Sequence, residues 1–277
     1  MILINGKKTS QLELSDRGFH YGDGLFETIE VINGHCVFLK LHLERLAQGC
    51  ETLEIPFKSF DLLREEIKTL THHQRHAVLK IIVTRGSGGR GYQQPTKINP
   101  TRVVLLYPFP DFPDVFKTEG IKLRFCANRL GLNPRLAGIK HLNRLDQVLA
   151  RAEWHSADYQ EGLMLDINNN VMEGTMSNLF IVKKNHLYTP KLNMCGIKGI
   201  IRQLVFLAAQ DLGINLTETD LSKQQCLEAD ELFLTNSVIN LWPVSQLVEK
   251  SYRPGAITQK IQRWLEDFKT QDLCQIS

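Results

Sequence analysis

Lys140 lies in the run Gly138-Ile139-Lys140-His141-Leu142-Asn143-Arg144 and carries a primary amine. Held in a dry cleft, such an amine loses proton affinity and becomes a nucleophile toward carbonyls. The ordinary alternative is a surface lysine that begins a helix. Four further places offer complementary chemistry. Arg45 supplies a guanidinium, and Glu173 supplies a carboxylate between the turn Asn168-Asn169-Asn170 and Gly174-Thr175-Met176-Ser177-Asn178. Lys198-Gly199-Ile200-Ile201-Arg202 puts a glycine just before a helix, where first-turn amides and the helix dipole favour a phosphate. Thr235-Asn236-Ser237 offers hydroxyls and an amide at a turn. Each has an ordinary structural explanation when taken singly: a solvated arginine, surface decoration, a common helix start.

The glycine-rich run Arg85-Gly86-Ser87-Gly88-Gly89-Arg90-Gly91-Tyr92 invites comparison with a phosphate loop. A phosphate loop opens into a helix, whereas here Pro95, Lys97 and Pro100 lead into a strand. The run therefore reads as a mobile hairpin loop. Its arginines, with Arg129, are candidates by charge for pairing with substrate carboxylates, or are incidental.

These groups must be positioned by elements that the spacing predicts. Residues 1–8 read as a strand turning at Asn5-Gly6, and Thr28–Ile32, Asn33-Gly34 and Cys36–Leu39 repeat that hairpin device. Leu39, Leu43, Leu46, Cys50 and Leu53 predict one helix, and Phe60, Leu63, Ile67 and Leu70 another over 59–70. Ala77–Thr84 and Arg102–Tyr107 read as strands. Pro108, Pro110 and Pro113 punctuate a linker. Beyond it, strands are expected at Lys122–Ala127, Gly162–Asp166, Leu179–Lys183 and Leu232–Asn236. Helices are expected at Asn143–Ala157, where Leu142, Leu145, Leu149 and Ala152 stack on one face, at Ile200–Leu212 and at Ala256–Phe268. Gly213 stands at a helix C-terminus.

The 277 residues are 43% hydrophobic and 23% charged, which suits a globular chain of one large or two modest domains. A net charge of +3, spread along the chain, carries no footprint of a nucleic-acid binder. No apolar run approaches the ~20 residues of a membrane span, and the N-terminus turns polar too soon for a signal peptide. The six cysteines are scattered, with no pair at metal-ligand spacing, and read as reduced residues of a cytoplasmic protein. His72, His73 and His76 form a local cluster without a companion ligand, so no metal site is expected.

The order arginine, lysine, glutamate, Gly-Ile loop, then Thr235-Asn236-Ser237 resembles the fold-type IV pyridoxal-phosphate enzymes. The resemblance begins at Asp16-Arg17-Gly18 and Gly22-Asp23-Gly24-Leu25-Phe26-Glu27-Thr28 and runs across essentially the whole chain. The glycine-rich run and Leu136-Ala137-Gly138-Ile139-Lys140-His141-Leu142-Asn143-Arg144-Leu145-Asp146-Gln147-Val148-Leu149 resemble the aminodeoxychorismate lyase branch.

The resemblance implies an α/β (α+β) chain in two domains: an N-terminal α/β domain at 1–107, a linker at 108–119 and a larger C-terminal cofactor-binding domain at 120–277. It implies pyridoxal 5'-phosphate, with Lys140 as the lysine joined to it. Glu173 would pair with the ring nitrogen, and Arg45 with the phosphate. The amides of Ile200 and Ile201 would complete the phosphate cup, though transaminases of this fold often carry threonine where Ile201 stands. Ser237 and Asn236 fall where a further phosphate hydroxyl is usual. The implied substrate is 4-amino-4-deoxychorismate, cleaved to 4-aminobenzoate and pyruvate in folate biosynthesis by a cytoplasmic homodimer that binds neither nucleic acid nor membrane. The alternatives are a D-amino-acid transaminase of the same fold and, further off, a non-catalytic binding protein.

Overall fold

Two Asn-Gly turns organise the first unit. Asn5 and Gly6 have φ of 47° and 80°, and Asn33 and Gly34 have 48° and 86°. That pair of left-handed residues suits the twist of a tight hairpin, and an amide side chain or glycine tolerates it. The computed structural model describes residues 1–274, so the last three residues of the expected C-terminal domain, 275–277, lie outside the described residues.

Among the described residues the first unit comprises Met1–Pro110, Ile139–Asn143 and residues 271–274. Its elements are β1 (Ile2–Ile4), α1 (Arg17–Tyr21), β2 (Gly24–Ile32), β3 (His35–Cys36), α2 (Leu39–Thr52), α3 (Phe60–Thr71), β4 (His76–Thr84) and β5 (Thr101–Pro108). The strands form an antiparallel sheet in the order β1-β5-β4-β2-β3. Ile29, Val31, Leu79, Ile81 and Val83 of the sheet pack with Leu43 and Leu46 of α2 and Leu63, Ile67 and Leu70 of α3. These are the helical stripes expected from the spacing. α1 was not foreseen, because its five residues are too few to show a period.

The second unit comprises Asp111–Gly138 and Arg144–Thr270. It contains α4 (Val115–Thr118), β6 (Ile121–Leu130), α5 (Leu145–Arg151), β7 (Glu161–Asp166), β8 (Val171–Gly174), β9 (Asn178–Lys183) and β10 (His186–Pro190). There follow α6 (Ile200–Asp211), β11 (Leu216–Thr219), α7 (Lys223–Leu227), β12 (Glu231–Asn236), β13 (Asn240–Leu247), β14 (Lys250–Ser251) and α8 (Ala256–Cys274), whose last turn belongs to the first unit. Its sheet runs β11-β10-β9-β12-β13-β6-β7-β8, with β14 beside β13. Pairing of Glu173 with Asn178 joins β8 back to β9, so six of the strands close on themselves. β6 pairs parallel with both β13 and β7.

Where the sequence suggested one linker at 108–119, the chain passes between units at four places, and the segment around Lys140 belongs to the first. In the linker itself, Phe112 and Phe116 pack edge-on against Trp242, at 4.8 and 5.3 Å between ring centres.

The helix expected over Asn143–Ala157 is shorter, at Leu145–Arg151. Glu153 leaves the helix to accept the N–H groups of Ala127 and Asn128 at 2.8 and 2.7 Å, and Trp154 is buried between the guanidiniums of Arg124 and Arg151. The face expected to be packed is also turned outward: Leu145 is 74% exposed and Leu149 57%, while Ala150 is buried.

Candidate functional site

In the chain Lys140 falls between β6 and α5, in the connection that joins that strand to that helix, and it belongs to the first unit. It lies in an extended segment held beside β2, where Phe26 N–H donates to Lys140 O and Leu142 N–H to Gly24 O, both at 3.0 Å. Gly24 is required there, since a Cβ would come within 2.5 Å of Val83 O and 2.9 Å of Leu142 Cδ1. The backbone on both sides of the lysine is thus pinned, and its Nζ stands 4.2 Å from the centre of the Phe26 ring. An ammonium over an aromatic face is attracted to it. Strand alternation puts Thr28 on the same face as Phe26, and Lys80 is directly opposite Thr28 on β4.

Arg45 comes from α2, one turn after His42, and its side chain is only 12% exposed. Its Nε and Nη2 donate to the two oxygens of Glu27 at 2.8 and 2.5 Å, and His42 Nδ1 meets the same carboxylate at 2.6 Å. Burial pushes the Glu27 carboxyl up, but Arg45 and His42 outweigh it and hold it at about 2. Burial also lowers the basicity of His42. Glu27 opposes that effect, while the charges of Arg45 and Lys140 add to it. Arg45 is therefore an oriented cation with an ionised partner, not the solvated arginine of the ordinary alternative.

In the second unit Glu173 ends β8, 3% exposed. It accepts the N–H of Ile197 at 2.8 Å and the Gln147 side-chain amide at 3.4 Å. The nearby Arg144 is half-buried, desolvation lowers its pKa, and Glu173 and Asp146 act against that shift. The following turn is anchored by Glu161. This buried carboxylate accepts the N–H groups of Thr175 (3.0 Å) and Met176 (3.1 Å) and the hydroxyls of Thr175 and Ser177. Gly199 caps the N-terminus of α6, and Ile200 and Ile201 fill its first turn. The first N–H groups of a helix have no intrahelical acceptor, so they point out as donors.

Asn236 bonds main-chain groups on both sides. Its Oδ1 accepts from Val238 N–H at 2.8 Å and Ile239 N–H at 2.9 Å, and its Nδ2 donates to Met176 O at 3.1 Å. The amide shapes two turns, and Ser237, half-buried, follows it in the chain. Beside it on β12, the Thr235 hydroxyl is buried with no hydrogen-bond partner among the described residues.

Arg85 is excluded as a partner for substrate carboxylates. It is 3% exposed, pairs with Asp23 at 2.8 Å and donates to Leu53 O and Glu54 O. The glycine-rich run is also tethered. Arg17 donates to Gly91 O, Tyr92 O and Gln93 O, while its Nε holds Asp23 at 2.9 Å. Arg129 donates to Cys126 O and Ala127 O, and Arg90 is exposed. His76 of the histidine cluster pairs with Glu30 and stacks on Phe109.

Glu27, His42, Glu161 and Asn178 were missed from the sequence. The signal for the first two was there: Glu27 alternates with Leu25 and Ile29 on the apolar face of a strand, and His42 adjoins an apolar helical stripe.

The model of the family described as class IV amino-transferase matches residues 24–247. An aminodeoxychorismate lyase from Vibrio harveyi is 34% identical over 266 residues, 95% of this chain and 98% of its own length. A D-alanine aminotransferase from Bacillus licheniformis is 28% identical over 277 residues, 96% of each chain. The crystal structure of 4-amino-4-deoxychorismate lyase from Pseudomonas aeruginosa matches with a TM-score of 0.91 and 41% identity, covering 96% of this chain and 98% of that one. That likeness bears out the expected fold-type IV architecture. This chain belongs to the class IV amino-transferase family.

Proposed function

We propose that this chain is a pyridoxal-phosphate-dependent lyase that converts 4-amino-4-deoxychorismate to 4-aminobenzoate and pyruvate. The observation that carries the reading is whole-length likeness to lyases from two bacteria, at 34% and 41% identity. The residues suit the cofactor. Arg45 is a largely enclosed guanidinium whose orientation Glu27 sets, and α6 starts at a glycine where a Cβ would come within 2.2 Å of Asn178 Oδ1. Both favour a phosphate. Glu173, fed by an amide N–H, is a carboxylate suited to a protonated pyridine nitrogen. When bound, pyridoxal phosphate supplies an electron sink for the charge left by a lost proton.

The chain's own groups then have these tasks. Lys140 Nζ would hold the cofactor and, as a free amine, would take the proton from substrate C4. The C3–O bond breaks, the ring becomes aromatic, and the three-carbon fragment leaves as the enol of pyruvate. Lys140 returns a proton, since one amine within reach of adjacent atoms serves as base and then as acid. Arg45, the Ile200 and Ile201 amides and the Ser237 hydroxyl hold the phosphate, Glu173 holds the ring nitrogen, and Asn236 shapes the turn that contains Ser237. A cytoplasmic homodimer is part of the proposal.

The test is direct. Purified protein with 4-amino-4-deoxychorismate and pyridoxal phosphate should form 4-aminobenzoate and pyruvate in equal amounts. Lys140→Ala should lose the yellow colour and about 10³-fold or more of the rate. Likeness to the D-alanine aminotransferase supplies the rival. Rapid D-glutamate formation from D-alanine and 2-oxoglutarate, with no 4-aminobenzoate from the other substrate, would sink the lyase reading.

A further inference from the structure

Asn178 is 5% exposed and lies directly across from Glu173 in the pairing of β8 with β9. Cross-strand neighbours of this kind share a face of the sheet. The two side chains grip the same residue. Glu173 accepts the N–H of Ile197 at 2.8 Å, and Asn178 donates through Nδ2 to Ile197 O, also at 2.8 Å. Asn178 Oδ1 then accepts Gly199 N–H at 3.1 Å, one residue before α6 begins. The same short loop is tied elsewhere: Lys198 N–H donates to Gly138 O at 3.0 Å, and Gly138 N–H to Gly196 O at 2.9 Å. Gly138 is two residues before Lys140 in the chain. Glu161, from β7, fixes the turn 174–177 that separates Glu173 from Asn178.

We infer that Asn178 is a positioning residue that sets the spacing between the two ends of the cofactor site, the Glu173 carboxylate and the first-turn amides of α6. This rests on the cofactor assignments proposed above. The ring-nitrogen partner and the phosphate cup are on different elements, and a rigid ligand is held well only when their separation is fixed in advance. Asn178 supplies that fixing, because one carboxamide bonds to both sides of the connecting loop. Gly199 is shaped to it, leaving no room for a Cβ.

The experiment titrates the apo protein with pyridoxal phosphate and, separately, with pyridoxal, in wild type and in Asn178→Ala. Loss of a buried, doubly bonded amide should weaken pyridoxal phosphate by about tenfold to a hundredfold. Pyridoxal should be weakened less, because it makes no use of the phosphate end. The pH at which the visible band titrates should also move, since Ile197, whose N–H donates to Glu173, loses the tether on its carbonyl. Dissociation constants within about twofold of wild type for both ligands, or equal weakening of both, would overturn the inference. Should the alanine variant fail to fold, Asn178→Asp is read in the same way. It keeps an acceptor for Gly199 N–H and loses the donor to Ile197 O. A wild-type protein that takes up no pyridoxal phosphate would instead overturn the cofactor assignment itself.

Discussion

Glu27 is the residue on which the first unit's polar chemistry turns. It is 1% exposed on the apolar side of β2, yet Arg45 and His42 keep it ionised. A carboxyl at about 2 in the fold against 4.5 in the unfolded chain stabilises the fold fully above pH 4.5. That contribution decays as pH falls toward 2. His42, lowered from 6.5, acts in the same sense: below that value the unfolded chain takes up a proton that the fold resists. Stability in urea should therefore fall steadily from pH 7 to pH 3. Glu27→Gln should cost about 3 kcal/mol at pH 7, because it removes the buried carboxylate that the Arg45 guanidinium is aimed at, and it should flatten the acid limb. A variant with wild-type stability and wild-type slope would refute the assignment. The sequence displayed the anomaly of a charge among Leu25 and Ile29. It did not display the partners, His42 and Arg45, which are on a helix fifteen and eighteen residues away and are found only by packing.

At the scale of elements, local rules worked where the period was long or the turn chemistry strict. The Asn-Gly hairpins, the stripes of α2 and α3 and the C-terminal glycine of α6 were legible for that reason. α5 was overextended because apolar spacing reports a face and says nothing of whether that face is inward. Glycine content predicts a mobile run at 85–92 because it records freedom in the unfolded chain. Arg17 and a bridge between Asp16 and Ser87 hold it in the fold. Gly86 is strict within it: φ is +87°, and a Cβ would come within 1.9 Å of Asn99 O. Gly86→Ala should cost about 2 kcal/mol or more, since left-handed backbone strain and a clash with main chain add. Gly91 has φ of +59° and nothing within 4 Å of a Cβ. Gly91→Ala should cost only the strain, about 1 kcal/mol. Equal midpoints for the two variants in denaturant would show that the clash is absent.

For the whole molecule, family resemblance made the candidate groups legible as a set, since single residues such as Arg45 or Glu173 have ordinary explanations. Their supports, Glu161 and Asn178, are not visible in the sequence because Asn178 bonds only backbone groups and Glu161 bonds backbone groups and two turn hydroxyls, none of which leaves a pattern in residue spacing. The two units have separate apolar cores, one around Ile29 and Leu79 and another around Leu163 and Leu234. Neither core is tied to the cofactor in sequence. Linkage nevertheless makes ligand binding a stability term for whatever binds it. At a free concentration one hundred times its dissociation constant, pyridoxal phosphate should stabilise the fold by about 2.7 kcal/mol. Lys140→Ala should show a smaller gain at the same concentration, because the covalent attachment is lost while the phosphate contacts remain. Sedimentation equilibrium should give about twice the 31.7 kDa of one chain, and dilution should then lower the unfolding midpoint, as expected when subunits bind only in the folded state. A mass of one chain at micromolar protein, with a midpoint independent of concentration, would remove the homodimer from the proposal and leave the cofactor linkage standing by itself.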